Sequence, residues 1–201
     1  MNKVFTSAKI AGICYPFIMV LQLVLVATKN NGAWATLLSS ILVCGLWIVF
    51  LSLLISASNK KSPVVTPSWI VIIGFILAFI SGCFASYASH LVMNESDNWH
   101  TIGQLYSVSG IIHDIDAVII AIGLIWLSKY FEKGSTLKAM AIMIAIVTVL
   151  IPVLNLTVKP WNISDEDTRM TVTLIYSAVR ILLIYIPPTI FFFSFAKLKK
   201  A

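Results

Sequence analysis

Six runs of mostly apolar residues, set apart by short polar connections, divide the chain at 7–27, 35–57, 67–92, 104–129, 136–157 and 170–194. Each has the roughly 20 residues that a helix needs to cross a hydrocarbon layer of about 30 Å. The runs are continuous rather than alternating, so they do not read as barrel strands. A backbone in lipid satisfies its own hydrogen bonds as a helix. The pattern predicts an all-α polytopic membrane protein, a six-transmembrane-helix bundle that takes up residues 1–201 as one transmembrane domain. The first run reaches Ala27 without a small-residue cleavage signal, which predicts a retained helix rather than a removed leader.

Composition sharpens this picture. Hydrophobic residues make up 59% of the chain and charged residues 11%, against about 25% charged in a soluble domain. The runs and their connections use nearly all of the sequence, which leaves no space for a separate soluble domain. Cys14, Cys44 and Cys83 all fall inside apolar runs without CxxC spacing, and they read as small packing residues rather than metal ligands.

The charges decide orientation. Ten basic residues lie near one set of helix ends (Lys3, Lys9, Lys60, Lys61, Lys129, Lys133, Lys138, Lys197, Lys199 and Lys200), and three near the other (Lys29, Lys159 and Arg169). Basic residues collect on the cytoplasmic side, so both the N-terminus and the C-terminus are predicted to be cytoplasmic. The acidic residues agree: Glu132 is inside, whereas Glu95, Asp97, Asp165, Glu166 and Asp167 are outside. The net charge of +6 then reads as a topology signal and an attraction to anionic lipid headgroups. Nothing in its placement points to nucleic acid. Trp34, Trp69, Trp99 and Trp161 fall at or beside run ends, where amphipathic rings favour the headgroup region.

Within the runs, small and polar residues mark expected packing features. Gly74, Ala78, Gly82 and Ser86 recur every four residues and predict a seam for close helix approach. Pro16, Pro152, Pro187 and Pro188 each remove a backbone donor and are expected to kink or break their helices. Gln22 and Asn155 are polar residues that glue helices together, and they are secondary site candidates along with His90. Ser86, Tyr87, Ser89 and Tyr106 offer further hydrogen bonds near His90, and His100 lies in an outer connection.

The most informative stretch is Ser109 to Asp116 in the fourth run, because an ionisable residue at mid-membrane costs roughly 3 kcal/mol on insertion scales and calls for a partner. Ser109, His113 and Asp116 share one helical face, while Asp114 is rotated about 100° from His113. Arg180, in the sixth run, is the one cation deep inside a run. Counting the helical rise from the outer ends puts His113 and Arg180 at a common depth of roughly 15 Å. The natural expectation is an Arg180 to aspartate pair and contact between helices four and six. The candidate site is therefore Ser109, His113, Asp114, Asp116 and Arg180. His90 should lie about 10 Å shallower than His113, so the two are poorly placed to share a haem iron. No metal or other cofactor is expected, and there is no Gly-rich phosphate loop, HExxH or GxSxG.

Lys9-Ile10-Ala11-Gly12 followed by Pro16, Gly110-Ile111-Ile112-His113-Asp114 leading to the basic Lys129, and Arg180 in the last run resemble a prokaryotic six-helix integral membrane family catalogued as domain of unknown function 998. The resemblance spans nearly the whole chain. It departs at the first outer connection, Thr28 to Ala33, which is shorter than the Pro-Gly-Tyr-containing loop of that family. It implies a fold and a prokaryotic cytoplasmic membrane, and no established activity.

Three readings of function stay open. One is a transporter-like or lipid-binding component with a polar intramembrane site, whose partners are membrane lipids and a small-molecule or lipid ligand, alone or as a homo-oligomer. Another is a structural or regulatory membrane partner, or an immunity-type protein, whose charges only align helices. The third, an intramembrane enzyme using His113 and an aspartate as acid and base, needs a substrate within hydrogen-bond reach.

Overall fold

A computed structural model describes residues 1–28, 33–59, 61–94, 98–133, 135–157 and 163–198. Lys29, Lys60, Lys159, Lys199, Lys200, Glu95, Asp97 and Trp161, which carry part of the topology and anchoring argument, lie outside the described residues. The described chain forms six helices: α1 (Asn2–Ala27), α2 (Ala33–Ala57), α3 (Val65–Met93), α4 (Trp99–Ser128), α5 (Thr136–Thr157) and α6 (Glu166–Lys197). All six are long and apolar enough to cross a membrane, and the protein is a multi-pass membrane protein.

Several helices run further into the polar flanks than the apolar runs predict, because the flanks supply caps. Asn98 Oδ1 accepts a hydrogen bond from the Thr101 amide at the start of α4, at 3.3 Å. Asp165 does the same for the Thr168 amide at the start of α6, at 2.8 Å. Each satisfies an N-terminal amide that would otherwise have no partner. The breaks expected at proline do not occur: α1, α5 and α6 continue through Pro16, Pro152 and the Pro187–Pro188 pair. Pro187 and Pro188 are buried, and packing against neighbouring helices holds the backbone through them.

Each helix packs on its neighbours in sequence, and α6 packs back on α1, closing a ring of six. Phe5 near the start of α1 lies against Phe195 near the end of α6, so these two helix ends lie at one end of the bundle, called here the terminal end. The most intimate pair is α3 with α4. A Cβ added to Gly74 would lie 3.1 Å from the Ile120 amide nitrogen, and one added to Gly123 would lie 3.1 Å from that of Val71. Gly82, by contrast, faces α2, where an added Cβ would come within 3.0 Å of Ser40 Cβ. The small-residue row on α3 thus serves two partners, since a four-residue step drifts about 40° around a helix.

Lipid offers no hydrophobic drive for helix association, so packing contacts and polar bonds hold the ring together. At the terminal end the interior is filled by rings. Phe50 meets Phe195 edge-on at 4.9 Å and Phe192 at 5.2 Å, and Trp47 lies 4.7 Å from Phe192. Phe5 of α1 closes on Phe195 at 5.8 Å. The outward surface is apolar on every helix, with residues such as Phe17, Ile41, Ile73, Ile111, Ile146 and Ile175 exposed. Trp34, Trp69 and Trp99 sit exposed at helix beginnings, the position suited to headgroup anchoring.

Candidate functional site: a polar chamber inside the ring

Above the aromatic filling the ring does not close completely. A cavity of about 160 Å³ remains, and residues of all six helices border it: Tyr15, Trp47, Phe75, Asp116, Thr148 and Arg180 are one from each, in chain order. His113 also borders it, and most of the remaining wall is aliphatic, with Ile120, Ile144 and Ile151 among its residues.

Helical spacing explains how α4 presents its part. Ser109, His113 and Asp116 follow one another at four and three residues, so a single face carries all three inward. Ser109 and Asp116 are buried, whereas Asp114, one residue beyond His113, points out of the ring and is exposed. The structure thus brings His113, Asp116 and Arg180 to one cavity and leaves Asp114 outside it.

Asp116 has 2% of its side-chain surface exposed, and its Oδ2 lies 3.5 Å from His113 Nδ1, an ion-pair distance when the imidazole is protonated. That separation falls short of a hydrogen bond. Asp116 Oδ2, His113 Nε2 and Tyr15 Oη are all enclosed without a hydrogen-bond partner among the described residues.

The direct pairing of Arg180 with an aspartate does not form. Among the described residues the ion pairs are His113 with Asp116 and Arg169 with Glu166, and α4 does not pack on α6. The physical reason lies in the ring: α5 stands between α4 and α6 on one side, and the cavity separates their inward faces. Equal depth places two charges in one layer, but their azimuth around the ring decides whether they touch. Arg180 and Asp116 face the same space without being each other's partner.

Other polar residues singled out by the sequence lie at seams between neighbouring helices. Ser109 and Ser81 exchange hydrogen bonds across α3 and α4: Ser81 Oγ donates to the Ser109 carbonyl at 2.9 Å, and Ser109 Oγ to the Ser81 carbonyl at 3.0 Å. Gln22 of α1 donates to Ser39 of α2. Tyr176 of α6 donates to Asn155 Oδ1 of α5 at 2.7 Å, and Ser89 meets Tyr106 at 3.0 Å. His90 lies near the end of α3 and meets the Asn94 side-chain amide at 2.9 Å. Ser86 is buried with its hydroxyl unpartnered among the described residues, and Tyr87 and His100 are exposed. Among the described residues no three His, Cys, Asp or Glu side chains gather as a metal-binding group.

Sequence reasoning missed the aromatic side of the chamber. Tyr15 and Thr148 are polar groups in mid-run, a signal that was available. Trp47 and Phe75 look like any other apolar residue in a membrane helix, and nothing in the sequence distinguishes them. Comparison with protein-family models, with curated proteins and with solved structures finds no match to this chain.

Proposed function

We propose that this protein is a transporter-like or lipid-binding component of a prokaryotic cytoplasmic membrane, with both termini cytoplasmic, and that the chamber bordered by His113, Asp116 and Arg180 is its ligand site. One observation carries the proposal: a cation from α6 and a carboxylate from α4 face the same cavity without pairing with each other. Charges that only align helices gain most from direct contact, since a buried charge left alone is costly. Here contact is withheld and space is left between them, the arrangement expected when a third molecule completes the pairing. Intramembrane ionisable residues facing a cavity commonly mark substrate or ion pathways. The resemblance to domain of unknown function 998 supports the six-helix architecture and adds no chemistry.

The test is native mass spectrometry of the purified protein beside His113→Ala and Asp116→Asn, with thermal unfolding in the same detergent to confirm that each variant is folded. Bound small molecules or lipids carried by the parent protein are expected to be lost from both variants. Identical bound species in all three folded proteins would sink the proposal.

A further inference from the structure

We infer that the chamber takes a compact zwitterion with an apolar body, its acidic group held at Arg180 and its ammonium group at Asp116. The inference rests on the reading of the chamber as a ligand site and names the class of molecule that fits it.

Size sets the first limit. A cavity of about 160 Å³ is close to the roughly 150 Å³ of an engineered protein cavity that holds one benzene molecule. A ligand of about six to ten non-hydrogen atoms fits such a space. A whole phospholipid or a nucleotide does not, which narrows the proposed function to its small-molecule reading.

Charge sets the second. Arg180 is permanently cationic, and its planar fork suits a carboxylate or a phosphate-like acid. Asp116 is 1% exposed; His113 Nδ1 stands 3.5 Å from its Oδ2, beyond hydrogen-bond distance, so that oxygen has no hydrogen bond among the described residues and keeps room for a closer donor. A simple anion would answer Arg180 and meet Asp116 as a like charge. A simple cation would answer Asp116 and meet Arg180 as one. A molecule carrying both signs satisfies both residues and adds no net charge to a low-dielectric interior.

The walls supply the rest. Trp47 and Phe75 stack at 5.3 Å with their planes 13° apart, and with Tyr15 they give the chamber an aromatic side. Ring faces accept the methylene or methyl groups of a ligand body and attract an ammonium placed over them. Tyr15 Oη, buried beside Trp47 and without a hydrogen-bond partner among the described residues at normal geometry, can offer its proton to a polar group on the ligand. Ile120, Ile144 and Ile151 complete an aliphatic wall, which favours a ligand with an apolar side over a purely polar one.

The experiment uses the full chain purified in detergent, with calorimetric binding and thermal shift as readouts. The zwitterionic probes are L-valine, L-proline and glycine betaine. Isovalerate and isobutylamine are the analogues of valine that carry one charge each. At least one zwitterion is expected to bind saturably, and the single-charge analogues at least about tenfold more weakly, because each leaves either Arg180 or the buried Asp116 unanswered. Asp116→Asn should lose the preference for valine over isovalerate, and Arg180→Gln the preference for valine over isobutylamine. A variant that fails to bind anything because it is misfolded cannot produce this exchange of preference, and wild-type discrimination among the probes needs no variant at all. Equal binding of a zwitterion and its single-charge analogues overturns the inference. So does no binding of any probe while native mass spectrometry still shows a bound species that depends on Asp116, an outcome that spares the proposed function. No bound species and no probe binding overturns both.

Discussion

The two halves of this bundle use their interiors in opposite ways. At the terminal end Phe5, Phe50, Phe191, Phe192 and Phe195 fill the ring, and Phe50, Phe191 and Phe192 are fully buried. In the middle the same ring surrounds a cavity with Asp116, His113 and Arg180 on its walls. Lipid does not squeeze helices together as water does, so a membrane bundle tolerates a hollow wherever another part holds the helices in register. The filled half is what permits the hollow half.

The largest expected effect tests that division of labour. Phe192→Ala removes a ring that touches Trp47, Phe50 and Phe191, and it should lower stability by about 3–5 kcal/mol, toward the upper part of that range. Phe75→Ala makes the same chemical change beside an existing cavity, where fewer partner atoms are lost, and should fall at the lower end. Denaturant or thermal unfolding in one detergent compares them. Equal losses would mean that the chamber is as tightly built as the aromatic end.

A smaller effect is expected where polar bonds replace ring packing. Ser109→Ala removes the Oγ donor to the Ser81 carbonyl and the Oγ–Oγ contact with Ser81 at 3.1 Å. Intramembrane hydrogen bonds average about 0.6 kcal/mol, so a loss of about 1 kcal/mol is the expectation. Combining it with Ser81→Ala should cost less than the sum of the two single changes, because they share the bond. Strict additivity would show that the two serines act separately and that the close α3 to α4 approach at Gly74 and Gly123 does not depend on their pairing.

Much of the scaffold was legible in the sequence, for a simple reason: crossing lipid demands a length of apolar chain, and six such lengths are visible. The order of helices around the ring was not. Apart from Thr148, a run such as Ile144 to Pro152 is apolar on all sides, and its lipid-facing and inward-facing aliphatic residues are chemically alike. Ile146 is exposed while Ile144 and Ile151 are buried, a distinction the letters do not carry. The face of α4 was legible because it mixes charges with apolar residues. Spacing alone separates inward Asp116 from outward Asp114. The partner of Arg180 was misread because the helical rise gives depth and says nothing of azimuth. Glycine gave partial guidance: Gly74 was visible as a close-approach site, but its row divides between two helices, and the matching Gly123 became meaningful only with Val71 beside it.

The smallest effect lies within α6, whose ends reproduce the contrast on a single helix. Its last turns are packed, with Phe191, Phe192 and Phe195 buried, whereas Glu166, Asp167, Thr168, Arg169 and Met170 in its first turns are exposed. That far end depends on a cap. Hydrogen bonds from Thr168, from its hydroxyl first and its amide second, hold the Asp165 carboxyl below the usual carboxylate range. A carboxyl depressed in the folded state contributes stability above its unfolded value, about 3.9 for aspartate, and that contribution disappears as pH falls through the lower folded value. Acidification below about pH 4 should therefore increase amide exchange at 167–172, after correction for intrinsic rates, while 190–196 stays protected. Asp165→Ala should give the same local fraying at neutral pH. Asp165→Asn keeps an acceptor oxygen at the cap and should restore protection without the acid sensitivity. Were both ends to loosen together on acidification, α6 would behave as one cooperative unit, and its aromatic end would no longer be an independent anchor for the chamber.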